Sequence, residues 1–173
     1  MSGRHAGAFV TSADLQPVIG YREWVLIGEE ILSPLARTPW DAEPMQAECL
    51  PSCRGARGLW RRASPHAGPA PDASCVCGIY ALFTPQRPRG RERWALVRGA
   101  VVLWGRIELH QRGMRAESAR IVALGVPSSP SRGHGRAVTR VAQRLGIEAV
   151  TASDVESAAL AYGKPLDPSL VPS

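Results

Sequence analysis

Apolar residues first gather over residues 20–27, where the chain runs Gly-Tyr-Arg-Glu-Trp-Val-Leu-Ile. Aromatic and β-branched side chains of this kind favour a strand on a pleated, half-buried surface. Two shorter apolar runs, at 31–33 and 45–50, predict two more strands. The prolines between them interrupt strand pairing and favour turns. The first third of the chain therefore predicts short strands with irregular connections.

The clearest alternation of apolar and polar positions begins at residue 101. One face carries Val101, Leu103, Ile107 and Leu109, and the other carries Val102, Trp104, Arg106, Glu108 and His110. This period of two predicts a strand with one apolar face. Gly105 falls on the apolar face, which indicates a bulge or a close neighbour. A turn at 111–114 would return the chain into 116–124, so the pattern predicts a hairpin.

Long segments without a regular period separate these strands. Residues 51–74 are rich in Gly, Pro, Arg and Ser, and a loop of this length in a compact domain is usually functional, anchored or disordered. Residues 79–83 predict one or two helical turns that end at Pro85. An Arg/Gly/Pro loop is expected over 86–93.

In the C-terminal part of the chain, apolar residues recur at the spacing of a helix. Helix-forming positions are Val138, Val141, Ala142 and Leu145, with Gly146 at the expected cap. Residues 147–150 predict a short strand, and Ser153 with Glu156 predicts a capping box for a helix over 154–162. The predicted fold is α+β: a mainly antiparallel, bent sheet or partial barrel, a cysteine-anchored loop and two C-terminal helices.

Length and composition are those of one globular domain. The 173 residues predict a flexible tail at 1–16, a β-rich domain of the metal-binding type at 17–126 and a helical segment at 127–173 packed on the same domain. No apolar run has the roughly 20 residues that a membrane-spanning helix needs, and no secretory signal is apparent. We therefore expect a soluble protein of the cytoplasm.

Four cysteines suggest the most specific chemistry. Cys49 and Cys53 form a Cys-x3-Cys pair, Cys75 and Cys77 form a Cys-x-Cys pair, and His66 lies between the pairs. Thiolates and imidazole are preferred zinc ligands, and two ligand pairs joined by a loop are typical of a structural site. Four cysteines, or three cysteines with His66, satisfy the ligand count. An iron–sulfur cluster, buried free thiols and disulfides are alternatives.

A second group of polar residues lies near the end of the predicted hairpin. These residues form a possible polar pocket, and they are Trp104, Arg106, Glu108, His110, Arg112 and Arg115. Histidine beside a carboxylate could perform acid–base chemistry, so an enzyme is one hypothesis. Charged residues at hairpin ends are more often solvated, and whether the protein is an enzyme stays open.

The formal charge of +6 suggests nucleic acid as a partner, since clustered cations displace phosphate counterions. Arginines at 54–62 and 87–93 would form such a surface. Only Lys164 among the 21 basic residues is a lysine, and asparagine is absent, which indicates a GC-rich coding bias. The charge therefore supports nucleic acid only as an alternative to a protein partner.

Three stretches resemble an uncharacterised family of small proteins from high-GC actinobacteria. They are residues 20–24, the Cys-Val-Cys-Gly-Ile-Tyr-Ala motif at 75–81, and the hairpin from Leu103-Trp104-Gly105-Arg106 to Arg112-Gly113-Met114-Arg115-Ala116-Glu117. The resemblance implies that Cys49, His66, Cys75 and Cys77 are the ligands and that Cys53 is additional. It implies no biological role. A metal-stabilised binding or regulatory protein is the function that we expect.

Overall fold

A computed structural model describes residues 8–11, 17–49, 66–85, 96–127 and 132–172, the first of these as backbone. The arginine-rich segments 54–62 and 87–93, together with Cys53, lie outside these residues. One short strand, β1 (Ala8–Thr11), lies within the segment that the sequence predicts to be a tail. It pairs antiparallel with residues 106–109 of a longer strand.

The described residues form one sheet of short and long strands. The remaining strands are β2 (Val18–Ile27), β3 (Glu30–Leu32), β4 (Met45–Gln46), β5 (Ile79–Leu82), β6 (Leu96–His110), β7 (Gly113–Val126), β8 (Glu148–Thr151) and β9 (Lys164–Pro165). Strands β6, β2, β5 and β7 pair in a partly closed ring, because β6 also pairs with β7. The helices are α1 (Arg132–Leu145) and α2 (Val155–Ala159), followed by a 3-10 turn at Pro168–Leu170. The predicted α+β fold is confirmed.

The hairpin of β6 and β7 is the longest pairing in the sheet. Its register shifts between Trp104 and Ile107, which confirms the bulge predicted at Gly105. Gly105 has a φ of +79°, and a side chain there would meet the Glu117 carboxylate. That carboxylate accepts a hydrogen bond from the Arg106 amide at 3.0 Å. The bulge therefore needs glycine for both backbone conformation and space.

The predicted apolar face of β6 is confirmed by its complete burial. Val101, Leu103, Ile107 and Leu109 have no exposed surface, and they pack in a core with Trp24. Helix α1 covers this core with its own apolar stripe, whose members are Val138, Val141, Ala142 and Leu145. The opposite face of the sheet is also covered, since Val155 and Ala159 of α2 pack in a second cluster with Val102.

Two local predictions are wrong. Residues 79–82 form strand β5 rather than helical turns, because they fill the place between β2 and β7, with Ile79 and Ala81 buried and Tyr80 exposed. A short apolar run does not distinguish a strand from a buried helix. The capping box is also absent: α2 begins after Asp154, and Ser153 instead hydrogen-bonds to the Asp154 carboxylate at 3.2 Å.

Among the described residues, no helix is both long and apolar enough to cross a bilayer.

Candidate metal centre

Cys49 reaches the site from the edge of the sheet. Strand β4 pairs with β7, and the chain continues this pairing when the Ala47 amide donates to the Glu117 carbonyl at 2.7 Å. The Ser118 hydroxyl also donates to the side-chain oxygen of Gln46 at 2.8 Å. These contacts fix the chain direction two residues before Cys49.

A tight turn presents Cys75 and Cys77. The Asp72 carboxylate accepts hydrogen bonds from the Ser74 amide at 2.8 Å and the Ser74 hydroxyl at 2.6 Å. These bonds lower the pKa of Asp72. The Cys75 amide donates to the Asp72 carbonyl at 3.0 Å, which closes the turn. An aspartate whose side chain bonds the backbone two residues on is a common turn former, so this local signal was present in the chain.

Gly78 joins residues 72–77, which we call the ligand loop, to strand β5. Its φ is +120°, a conformation that side chains disfavour. A Cβ atom at this position would lie 3.1 Å from Cβ of Pro71 and 3.1 Å from Cβ of Arg115. Glycine is therefore needed where the chain turns from Cys77 into the sheet, a requirement that the sequence pattern alone did not reveal.

The structure brings together the four residues that the resemblance implied. Ligand atoms of Cys49, His66, Cys75 and Cys77 all lie within 4.8 Å of one another. The Cys49 and Cys75 sulfurs are 3.6 Å apart, and His66 Nε2 lies 3.1 Å from the Cys77 sulfur. Tetrahedral zinc with metal–sulfur bonds of about 2.3 Å separates two sulfurs by about 3.8 Å. This group could hold a metal ion, and Cys53 lies outside the described residues.

The four side chains differ in exposure. Cys77 is 3% exposed, whereas Cys49, His66 and Cys75 are half-buried at the surface. Burial raises the pKa of the Cys77 thiol to about 12, because desolvation disfavours the thiolate. A metal ion reverses this preference, since it binds the thiolate directly. The donor set therefore fits a cation that stabilises sulfur anions.

One ring nitrogen of His66 has no hydrogen-bond partner among the described residues. This nitrogen, Nδ1, is buried, while Nε2 faces Cys77. In metal sites, the ring nitrogen that does not bind the metal usually donates to a carboxylate, a carbonyl or water. The Nε2 atom is thus the natural ligand atom of His66.

Arg115 connects the ligand loop to the hairpin. Its guanidinium donates to the Cys77 carbonyl at 2.9 Å, to the Asp72 carbonyl at 3.0 Å and also to the Cys75 carbonyl. The same guanidinium forms an ion pair with the Glu108 carboxylate. The sequence predicted Arg115 in a polar pocket. Its contacts with the carbonyls of residues 72–77 were not predicted, because residues so far apart in the chain leave no local pattern.

The predicted polar pocket separates into different environments. Glu108, Arg115 and His110 lie together, with His110 Nε2 3.6 Å from Glu108 Oε1. Trp104 packs against the second hydrophobic cluster. Arg106 contacts Glu117 through its amide, and Arg112 lines a shallow cavity of about 230 Å³ with residues 82–84 and Gln111. Glu108 is thus the partner of a buried cation, and this geometry favours a structural role.

Comparisons of the chain with protein-family models, with curated proteins and with solved structures found no match. The resemblance to the actinobacterial family therefore stays a prediction.

Proposed function

We propose that the protein is a small metal-stabilised binding or regulatory module, in which one zinc ion is held by Cys49, His66, Cys75 and Cys77. The observation that carries this proposal is the convergence of these four ligand atoms within 4.8 Å. They come from two chain segments separated by 16 residues outside the described part, 50–65. A shared ion would hold Cys49 and His66, on either side of this segment, close together.

The compactness of the group favours zinc over an iron–sulfur cluster. A cluster spreads its ligands over two or more irons with sulfides between them, whereas a single ion draws all ligands to one point. Mixed sulfur and nitrogen donors also suit zinc. Four protein ligands fill a tetrahedral shell and leave no position for substrate, which favours a structural ion.

The proposed zinc site needs reduced cysteines. Cys49, Cys75 and Cys77 are free rather than joined in disulfides. Free thiols and zinc thiolates persist where glutathione and thioredoxin keep cysteine reduced. We therefore propose the cytoplasm as the location.

The surfaces that would meet a protein partner are the ligand loop and the end of the hairpin at the exposed His110.

Metal analysis of protein purified without oxygen tests the proposal. We expect one equivalent of zinc and no visible absorption, because zinc has no partly filled d shell. A brown protein that contains iron and sulfide would show that the cofactor is an iron–sulfur cluster instead of zinc. A folded protein without any metal would contradict the proposed function.

Zinc affinity is expected to rise with pH. Because the pKa of Cys77 is raised to about 12, this thiol is protonated at neutral pH in the metal-free protein, and zinc must displace its proton. One displaced proton increases the apparent association constant about tenfold per pH unit, so this thiol alone predicts about a hundredfold increase over two units. Competition with a chelator of known pH dependence measures the slope, and a flat profile would argue against thiolate ligation.

A further inference from the structure

Arg115 occupies a buried position between two groups of partners. On one side are the carbonyl oxygens of Asp72, Cys75 and Cys77, and on the other is the carboxylate of Glu108. The side chains of Arg115 and Glu108 are only 5% and 4% exposed. The cation therefore has protein groups, rather than bulk water, as its main partners.

Two of these partners are backbone carbonyl oxygens of proposed metal ligands. The Cys75 and Cys77 carbonyls belong to the residues whose sulfurs lie in the ligand group. A planar guanidinium holds its donors in a fixed fork, so it restricts where both carbonyls can lie. If the loop shifted, the buried cation would lose hydrogen bonds that water could not readily replace.

Glu108 holds the other side of the guanidinium in place. Glu108 and Arg115 are directly opposite each other in the β6–β7 register, three residue pairs before the turn that closes the hairpin. Glu108 also lies 3.6 Å from His110, whose side chain is 40% exposed. A chain of contacts thus runs from the ligand loop through Arg115 and Glu108 to the protein surface.

We propose that Arg115 is a positioning residue that couples metal binding to the Glu108–His110 end of the hairpin. The inference rests on the proposed zinc site and adds a means of regulation to it. Metal binding fixes the loop carbonyls, which hold Arg115 against Glu108, and a fixed Glu108–Arg115 pair in turn favours metal binding. Because such coupling is reciprocal, a partner that binds at the exposed His110 and shifts Glu108 would alter the affinity of the loop for zinc.

Zinc affinities of matched variants test the coupling. Arg115→Lys keeps the charge but loses the planar fork, and we expect zinc to bind roughly 10- to 100-fold more weakly. Glu108→Gln changes a residue outside the ligand loop, and we expect a loss of about fivefold or more. The controls are Arg98→Lys and Glu23→Gln, which alter a second ion pair of 2.7 Å involving the other end of β6. Both controls should keep the affinity of the unchanged protein.

The outcomes separate this inference from the zinc site itself. If the unchanged protein binds no zinc in a chelator competition, the proposed function fails and the coupling fails with it. If it binds zinc and Glu108→Gln matches its control, the coupling is overturned while the zinc site stands. Should Arg115→Lys not fold by circular dichroism, Glu108→Gln decides the question alone. A substitution with a purely structural effect would lower the melting temperature and leave the zinc dissociation constant unchanged.

Discussion

Replacing Cys77 by serine is expected to lower the melting temperature of the zinc-loaded protein by about 8 to 16 °C. Zinc at a thousandfold excess over its dissociation constant stabilises the folded state by about 4 kcal/mol. For a chain of this size, each kcal/mol changes the melting temperature by about 2 to 4 °C. Serine is a poor zinc ligand, and this position is 3% exposed, so water cannot take the place of the sulfur easily. Differential scanning calorimetry with and without zinc measures the change.

Cys53→Ser is the matched control, because the proposed ligands are Cys49, His66, Cys75 and Cys77 and do not include Cys53. This variant should keep both the metal and the melting temperature. Treatment of the unchanged protein with a chelator should reproduce the effect of Cys77→Ser. Loss of metal in Cys53→Ser would contradict the proposed ligand set. The proposed zinc site would also be contradicted if Cys77→Ser melted at the temperature of the unchanged protein, both with and without zinc.

Replacing Arg115 by methionine is expected to reduce the free energy of unfolding by about 3 to 5 kcal/mol. The substitution leaves the Glu108 carboxylate buried without its cation, and an uncompensated buried charge has a cost of this size. The carbonyls of Asp72, Cys75 and Cys77 lose a donor at the same time. Urea unfolding in excess chelator measures the change independently of metal.

The double variant Arg115→Met with Glu108→Leu should recover part of that loss, because it removes both buried charges. Arg98→Met is a comparison at a more exposed ion pair, where the side chains of Arg98 and Glu23 are 23% and 26% exposed. There we expect a loss of less than about 1 kcal/mol. If Arg115→Met and Arg98→Met lost equal free energy of unfolding, burial of the Glu108–Arg115 pair would make no difference to its contribution to stability.

Periodic patterns predicted the larger elements well. The alternation at Val101, Leu103, Ile107 and Leu109 located β6, and the helical spacing after Val138 located α1. Both patterns are local, since a repeat of two or of 3.6 residues is set by the geometry of a single element. Gly105 marked the bulge for a similar reason, because it interrupts an otherwise regular apolar face.

Residues 79–82 are a segment whose secondary structure the local pattern did not predict. Four residues carry too little periodicity to choose between helix and strand, and the choice depended on the open place between β2 and β7. The opposite face of β6 shows the same limit. The alternation assigned polar groups to this face, but Val102 is buried beneath α2 and Glu108 is buried with Arg115.

By itself, the sequence determined the type of fold, the main hairpin and the donor atoms available for a metal. Side-chain chemistry and short-range repeats are enough for these, because neither depends on distant contacts. The residues alone left Cys53 and His66 as alternative fourth ligands, and only the family resemblance favoured His66. The tertiary structure places His66 beside Cys49, Cys75 and Cys77, with Arg115 behind their loop. Such proximity arises when strand pairing brings remote segments together, and linear spacing does not record it.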